Sequence, residues 1–125
     1  MSEAISWSVT ANGASGGSAS AVGSTEGDAT VSATVRLEPA MSAVRDLAFQ
    51  VETGSAVTFL AITSSLNDGS VQVTPAGGSA IAMSGPILLV GAAVSLFAGD
   101  LGTIGVQNTS ADRPATFSVL IGLTL

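Results

Sequence analysis

Nine carboxylates are the only side chains in this 125-residue sequence suited to acid–base work near neutral pH: Glu3, Glu26, Asp28, Glu38, Asp46, Glu52, Asp68, Asp100 and Asp112. Two carboxylates can share the roles of general acid and base, and hard cations such as Ca²⁺ collect several oxygen ligands. Two places put such oxygens within reach of one another. One is Glu26-Gly27-Asp28; the other is Asp100 with the 108–112 loop, if the fold joins them. Neither has the spacing of a calcium-binding loop. Most of the nine fall in predicted turns, where Asp bonds its own backbone and keeps the turn hydrated.

Other chemistries lack their residues. The sequence has no His, no Cys and no Tyr, and its three cations are Arg36, Arg45 and Arg113, so Lys is absent as well. A Ser–His–Asp triad is therefore excluded, as are covalent Cys or Lys catalysis and disulfides. A phosphate-binding P-loop needs Lys, so the glycine-rich GASGG at 13–17 is no phosphate cradle. The sequence predicts no enzyme, no cofactor and no catalytic, cofactor-binding or metal residues. Asn108-Thr109-Ser110 fits the N-glycosylation pattern, but nothing around it signals secretion. Trp7, the single Trp, is either a ligand platform or a packing residue; on an alternating strand packing is the commoner fate.

The elements that would position these residues are strands. Ile5, Trp7 and Val9 alternate with Ser6, Ser8 and Thr10 over residues 1–11, the period of a half-buried strand. Val31, Ala33, Val35 and Leu37 alternate with Thr30, Ser32, Thr34 and Arg36, and Leu47, Phe49 and Val51 with Ala48, Gln50 and Glu52. Between the first two strands, residues 12–28 are Gly/Ser/Ala-rich and predict a long hairpin loop or a mobile arm. Residues 40–46 predict a helical turn or a loop. Further short strands are expected at 56–63, 71–73, 81–83, 87–90, 94–97, 103–107 and 116–123, with Asn67-Asp68-Gly69 as a hairpin turn. The fold class that follows is all-β: one domain over 1–125, an antiparallel β-sandwich or jelly-roll-like barrel of short strands.

Charged residues make up only 10% of the chain, against about 25% in ordinary proteins. The net charge of −6 opposes binding to a phosphate backbone and to an anionic membrane surface. So little charge favours association. Residues 80–99 are uncharged and long enough for a membrane helix. Gly85-Pro86 and Gly91 interrupt them, however, and no cation flanks them, which argues for short strands instead. The opening MSEAISWSV has no signal-peptide character, so synthesis in the cytoplasm is expected.

Segments 57–62, 87–90, 94–97 and 117–121 are apolar on both faces. A sandwich covers only one face of each sheet, so a neighbouring subunit is the expected cover for the other. Leu60, Ile62, Leu88, Val90, Phe97 and Leu120 are the candidate interface residues. The Ser/Gly-rich 12–24 segment, the turn-punctuated strands and the apolar final strand TFSVLIGLTL together resemble small all-β virion structural proteins of tailed phages, such as capsid decoration proteins. The resemblance implies a homotrimer or another symmetric oligomer that stabilises a capsid or shell lattice, and localisation in the virion. It transfers no functional residue. Two other functions compete with a structural subunit: a ligand- or carbohydrate-binding β-sandwich, and a small membrane protein built around 80–99.

Overall fold

Alternation at 29–37 becomes strand β3 (Ala29–Leu37), with Val31, Ala33, Val35 and Leu37 turned inward and Thr30, Ser32, Thr34 and Arg36 exposed. The same rule of side-chain period two builds the rest of the body. In the computed structural model, which describes residues 3–27, 29–49, 56–97 and 101–124, β3 is followed by β4 (Arg45–Ala48), β5 (Ala56–Ser64) and β6 (Val71–Pro75). Then come β7 (Ile81–Ala82), β8 (Ile87–Val90), a 3₁₀ helix (Gly91–Leu96), β9 (Thr103–Asn108) and β10 (Ala115–Thr124). A long hairpin of β1 (Glu3–Asn12) and β2 (Ser18–Gly27) precedes them.

Strands β3–β10 form two four-stranded antiparallel sheets, ordered β3-β10-β5-β8 and β4-β9-β6-β7. The pairs β3–β10, β4–β9, β5–β8 and β6–β7 nest one inside the next. This is the connectivity of a jelly roll, in which a chain doubled back on itself is rolled into two sheets. The all-β expectation thus holds, in its jelly-roll form. Leu60, Ile62, Phe117, Val119 and Ile121 from the first sheet meet Val71, Val73, Ile104 and Val106 from the second in one core. Each such side chain, fully buried, contributes roughly 1.5–3 kcal/mol.

Three local expectations are corrected. Residues 12–28 were expected as one loop or arm, yet Ser18–Gly27 is strand β2, paired rung for rung with β1 from Glu3↔Gly27 to Asn12↔Ser18. Only residues 13–17 turn, with Gly16 at φ 104°. Small side chains do not prevent a strand whose partner supplies the ladder. Asn67-Asp68-Gly69 closes no hairpin; it is the corner that carries the chain from β5 in one sheet to β6 in the other. Residues 94–97 lie not in a strand but in the 3₁₀ helix and its cap. Gly91 (φ 64°) ends β8, and Val94 and Phe97, three residues apart, bury the same side of the turn. Residues 80–97 accordingly contain β7, β8 and this short helix in place of a membrane helix, and among the described residues no helix is long and apolar enough to cross a membrane. The strand expected over 47–52 is present as β4 with buried Leu47, and Phe49 beyond it is buried too; its far end lies outside the described residues.

One end of the roll is organised by Asn108, which is completely buried. Its Nδ2 donates to the carbonyls of Arg113 (2.8 Å) and Leu37 (3.4 Å), and its Oδ1 accepts from the Ser110 amide (3.0 Å). The Asn108 carbonyl accepts from the Met41 amide at 3.0 Å. Strand β3, the 40–41 connection and the β9–β10 loop are thereby held together. Nearby, Asp68 accepts from the Ser70 amide at 3.0 Å and pairs with Arg113. Hydrogen bonds from Ser70, then Arg113, lower its carboxyl from the ordinary 3.8 to about 2.

Two stability predictions follow from this end. Asn108→Ala leaves buried backbone groups without partners, at about 1–3 kcal/mol, and should lower the urea midpoint with an unchanged m-value. Asp68 titrates lower in the folded chain than in the unfolded one, so its contribution is complete above about pH 4 and is lost as the pH falls towards 2. The melting temperature of Asp68→Asn should therefore fall less between pH 5 and pH 2 than that of the parent protein.

Candidate assembly surface

A sheet with two apolar faces dictates where a partner can sit. On β5 and β10 the inner residues alternate with Phe59, Ala61, Leu120 and Gly122, and β8 adds Leu88 and Val90 to the same outer face. Phe59 is only 3% exposed, and Ala61, Leu88, Val90 and Leu120 are half-buried. Over Gly122 and Phe59 the cover is the chain's own β1–β2 hairpin. Ile5 lies so close to Gly122 that a Cβ there would come within 2.7 Å of the Ile5 Cδ1 and 3.1 Å of the Phe59 Cβ. At the base of the hairpin, Gly27 packs on the Leu123 backbone, where a Cβ would meet the carbonyl oxygen at 2.7 Å.

The six candidate interface residues therefore divide. Leu60 and Ile62 have no exposed surface, and Phe97 is 8% exposed within the same core. These three are core residues, and their assignment to an interface is corrected. A strand apolar on both sides does not reveal which side faces the domain's own core. Leu88, Val90 and Leu120 do lie on the outer face, as β8 and β10 present it. The expectation that a neighbouring subunit must cover this face is also corrected in part, because the hairpin supplies cover at Ile5, Phe59 and Gly122.

That cover is incomplete. Ile5 and Trp7 are half-buried, but every residue from Ser8 to Val22 is exposed. The distal half of the hairpin thus stands out from the body. Val22 is 81% exposed and Val9 44%. Between the hairpin and the β5–β8 edge runs an open groove of about 590 Å³, lined by Val9, Thr10, Ala61, Thr63, Pro86 and Leu88 among others. From Ala4 to Thr25 the hairpin carries no charged residue, and neither does the chain between Asp68 and Asp100, which contains β8. Arm and groove are consequently neutral surfaces on an acidic protein.

The other chemical candidates are dispersed. Asn108, the glycosylation candidate, is buried with its Nδ2 engaged, so it cannot present that nitrogen at the surface. Arg36 pairs with Glu38 at 3.0 Å and Arg113 with Asp68. Of the carboxylates considered for a cation, Asp28 and Asp100 lie outside the described residues, and among the described residues no group of three acidic side chains gathers. The Trp7 ring packs against Gly23, where a Cβ would approach it to 2.8 Å, and its Nε1 is buried without a partner among the described residues. All four Phe residues are buried, Phe49, Phe59, Phe97 and Phe117, so none of them is laid open as a sugar platform, and Trp7 is half-buried. The sequence missed the hairpin cover. Its available signal was the nearly equal uncharged stretches on either side of GASGG, with Gly23 directly opposite Trp7.

Comparison with protein families, with curated proteins and with solved structures finds no match to this chain.

Trp7 makes the docking of the hairpin measurable. Gly122→Val should push Ile5 away and loosen the hairpin while the two sheets persist. The expected result is a red shift of tryptophan emission with the β-type circular dichroism retained. An unshifted emission would show that the hairpin tolerates the added bulk in place.

Proposed function

We propose that this protein is a non-catalytic structural subunit that associates with copies of itself in a symmetric particle, or decorates a viral shell such as that of a tailed phage. The observation that carries this reading is the distal hairpin, a neutral β-ribbon exposed on both faces. Ten-residue strands extend about 34 Å, and only their proximal half packs on the body. A free ribbon with open edges invites pairing with another chain, and natural monomers blunt such edges with charge, which this one lacks.

Area supports the same reading. The chain exposes 6972 Å², against roughly 6,000 Å² for a compact monomer of its mass. The jelly roll serves shell proteins, lectins and other binding proteins alike, so the fold alone does not select among functions. The neutral arm favours assembly, and the burial of all four Phe rings weighs against the carbohydrate-binding alternative.

The test is the native mass of the purified protein, without detergent, by light scattering across a concentration series. A discrete multiple of the 12.1 kDa chain mass is expected, unmoved by chelators. A chain that stays monomeric at the highest soluble concentration, alone and with candidate shell proteins, would remove the proposal.

A further inference from the structure

The groove beside β8 is an apolar surface, and the distal arm is an exposed, uncharged ribbon. We infer that they belong together across two molecules: the distal half of the β1–β2 hairpin of one copy, led by Val22, seats in the groove between the hairpin and β8 of another. The inference rests on the self-association reading above and specifies its contact.

Three observations select a second copy as the occupant. The first is charge. Each copy carries −6, and uncharged surfaces let two such copies meet without adding like-charge contacts. The arm from Ala4 to Thr25 and the groove wall around Pro86 and Leu88 are such surfaces. The second is area. The chain exposes 6972 Å² against roughly 6,000 Å² for a compact monomer of its mass, and the protruding arm contributes to that excess. The third is shape and polarity. Val22 is the one bulky apolar side chain on its face of the hairpin, where its neighbours are Ala4, Ser6, Ser8, Thr10, Ser20 and Ser24. It is 81% exposed. The groove offers apolar Val9, Ala61 and Leu88 to such a side chain, and the ribbon brings unpaired backbone groups to its edges.

The contact is heterologous, arm to groove, so each copy has one arm to give and one groove to receive. Such contacts reciprocate about a two-fold axis, close into a ring where the rotation closes, or otherwise propagate as a filament. The neutral seat also explains why the outer face needs no charged guard at β8: its open part is the receptor for the next arm.

The absence of Cys permits a direct test. Val22→Cys and Leu88→Cys are made as separate variants, mixed and exposed to mild oxidant. The expected major product is the mixed Val22–Leu88 disulfide dimer, identified by peptide mass, because disulfides require Cα atoms within about 7 Å. In parallel, Val22→Asp should keep the parent circular dichroism and Trp7 emission, since Val22 is exposed in its own chain. It should weaken association at least tenfold. If native mass shows an oligomer but the mixed disulfide is absent and Val22→Asp associates like the parent, the arm–groove contact is overturned and self-association stands. If the parent protein is monomeric, both fall.

Discussion

Ile5 resting in the gap left by Gly122, against Phe59, is the contact on which the outer architecture depends. Strand β10 lies between β3 and β5 and is apolar on both sides, with Phe117, Val119 and Ile121 in the core and Leu120 outward. A jelly roll buries one side of each sheet. The other side of this sheet has to be covered or it becomes a sticky surface. A side chain at residue 122 would hold the hairpin away, and Phe59 would then lie in water. With glycine there, the hairpin descends, the face is closed near β10, and the same ribbon is left overhanging where the sheet no longer supports it. The cover and the free arm are two consequences of one close approach.

The polar end of the roll works differently. Asn108 ties β3 to the β9–β10 loop through bonds from a single amide side chain. Its amide group is both donor and acceptor, which lets it satisfy carbonyls on β3 and at Arg113 and an amide at Ser110. Buried polar groups of this kind are favourable only when every member finds a partner. The Thr109 amide and hydroxyl both donate to the Ser70 carbonyl at 2.8 Å, tying the same loop to the β5–β6 corner. Position in a loop next to Thr and Ser gives Asn108 the look of a glycan acceptor, while its burial gives it a structural task.

Strands read from alternation were legible where one face is polar. The Thr/Ser face of β3 and the Val71/Val73 face of β6 show their periods plainly, and the structure places them as read. Legibility failed where the signal depends on a distant partner. Strand β2 has little but Ser, Gly and Ala, and becomes a strand through its ladder to β1. Asn67-Asp68-Gly69 has the composition of a tight turn, and Gly69 does take φ 91°. Whether such a turn closes a hairpin or rounds a corner is decided by which sheet the next strand joins. At 94–97 the four-residue run VSLF contains both a strand period and a three-residue period, and Gly91 resolves the choice. For the assembly surface, sequence placed Leu88, Val90 and Leu120 on a face needing cover, but assigned Leu60 and Ile62 to the wrong side of β5. An all-apolar strand gives no internal sign of which side is which.

The nesting of the jelly roll also governs how the chain reaches this state. Thr34 on β3 and Ser118 on β10 share a hydrogen bond across 84 residues of chain, and β3 to β10 is the outermost of the nested pairs. Long loops are closed at an entropic cost before the contacts they permit are gained. Folds rich in such distant pairings reach the native state in milliseconds to seconds, not microseconds. The turn between β6 and β7 is the most local of the nested pairings and can form early, with each outer pair waiting on the one inside it. Until β3 finds β10, the strand that becomes the centre of its sheet has an edge exposed. The local, ten-rung β1–β2 ladder needs no such wait, so the arm can be complete before the body that carries it.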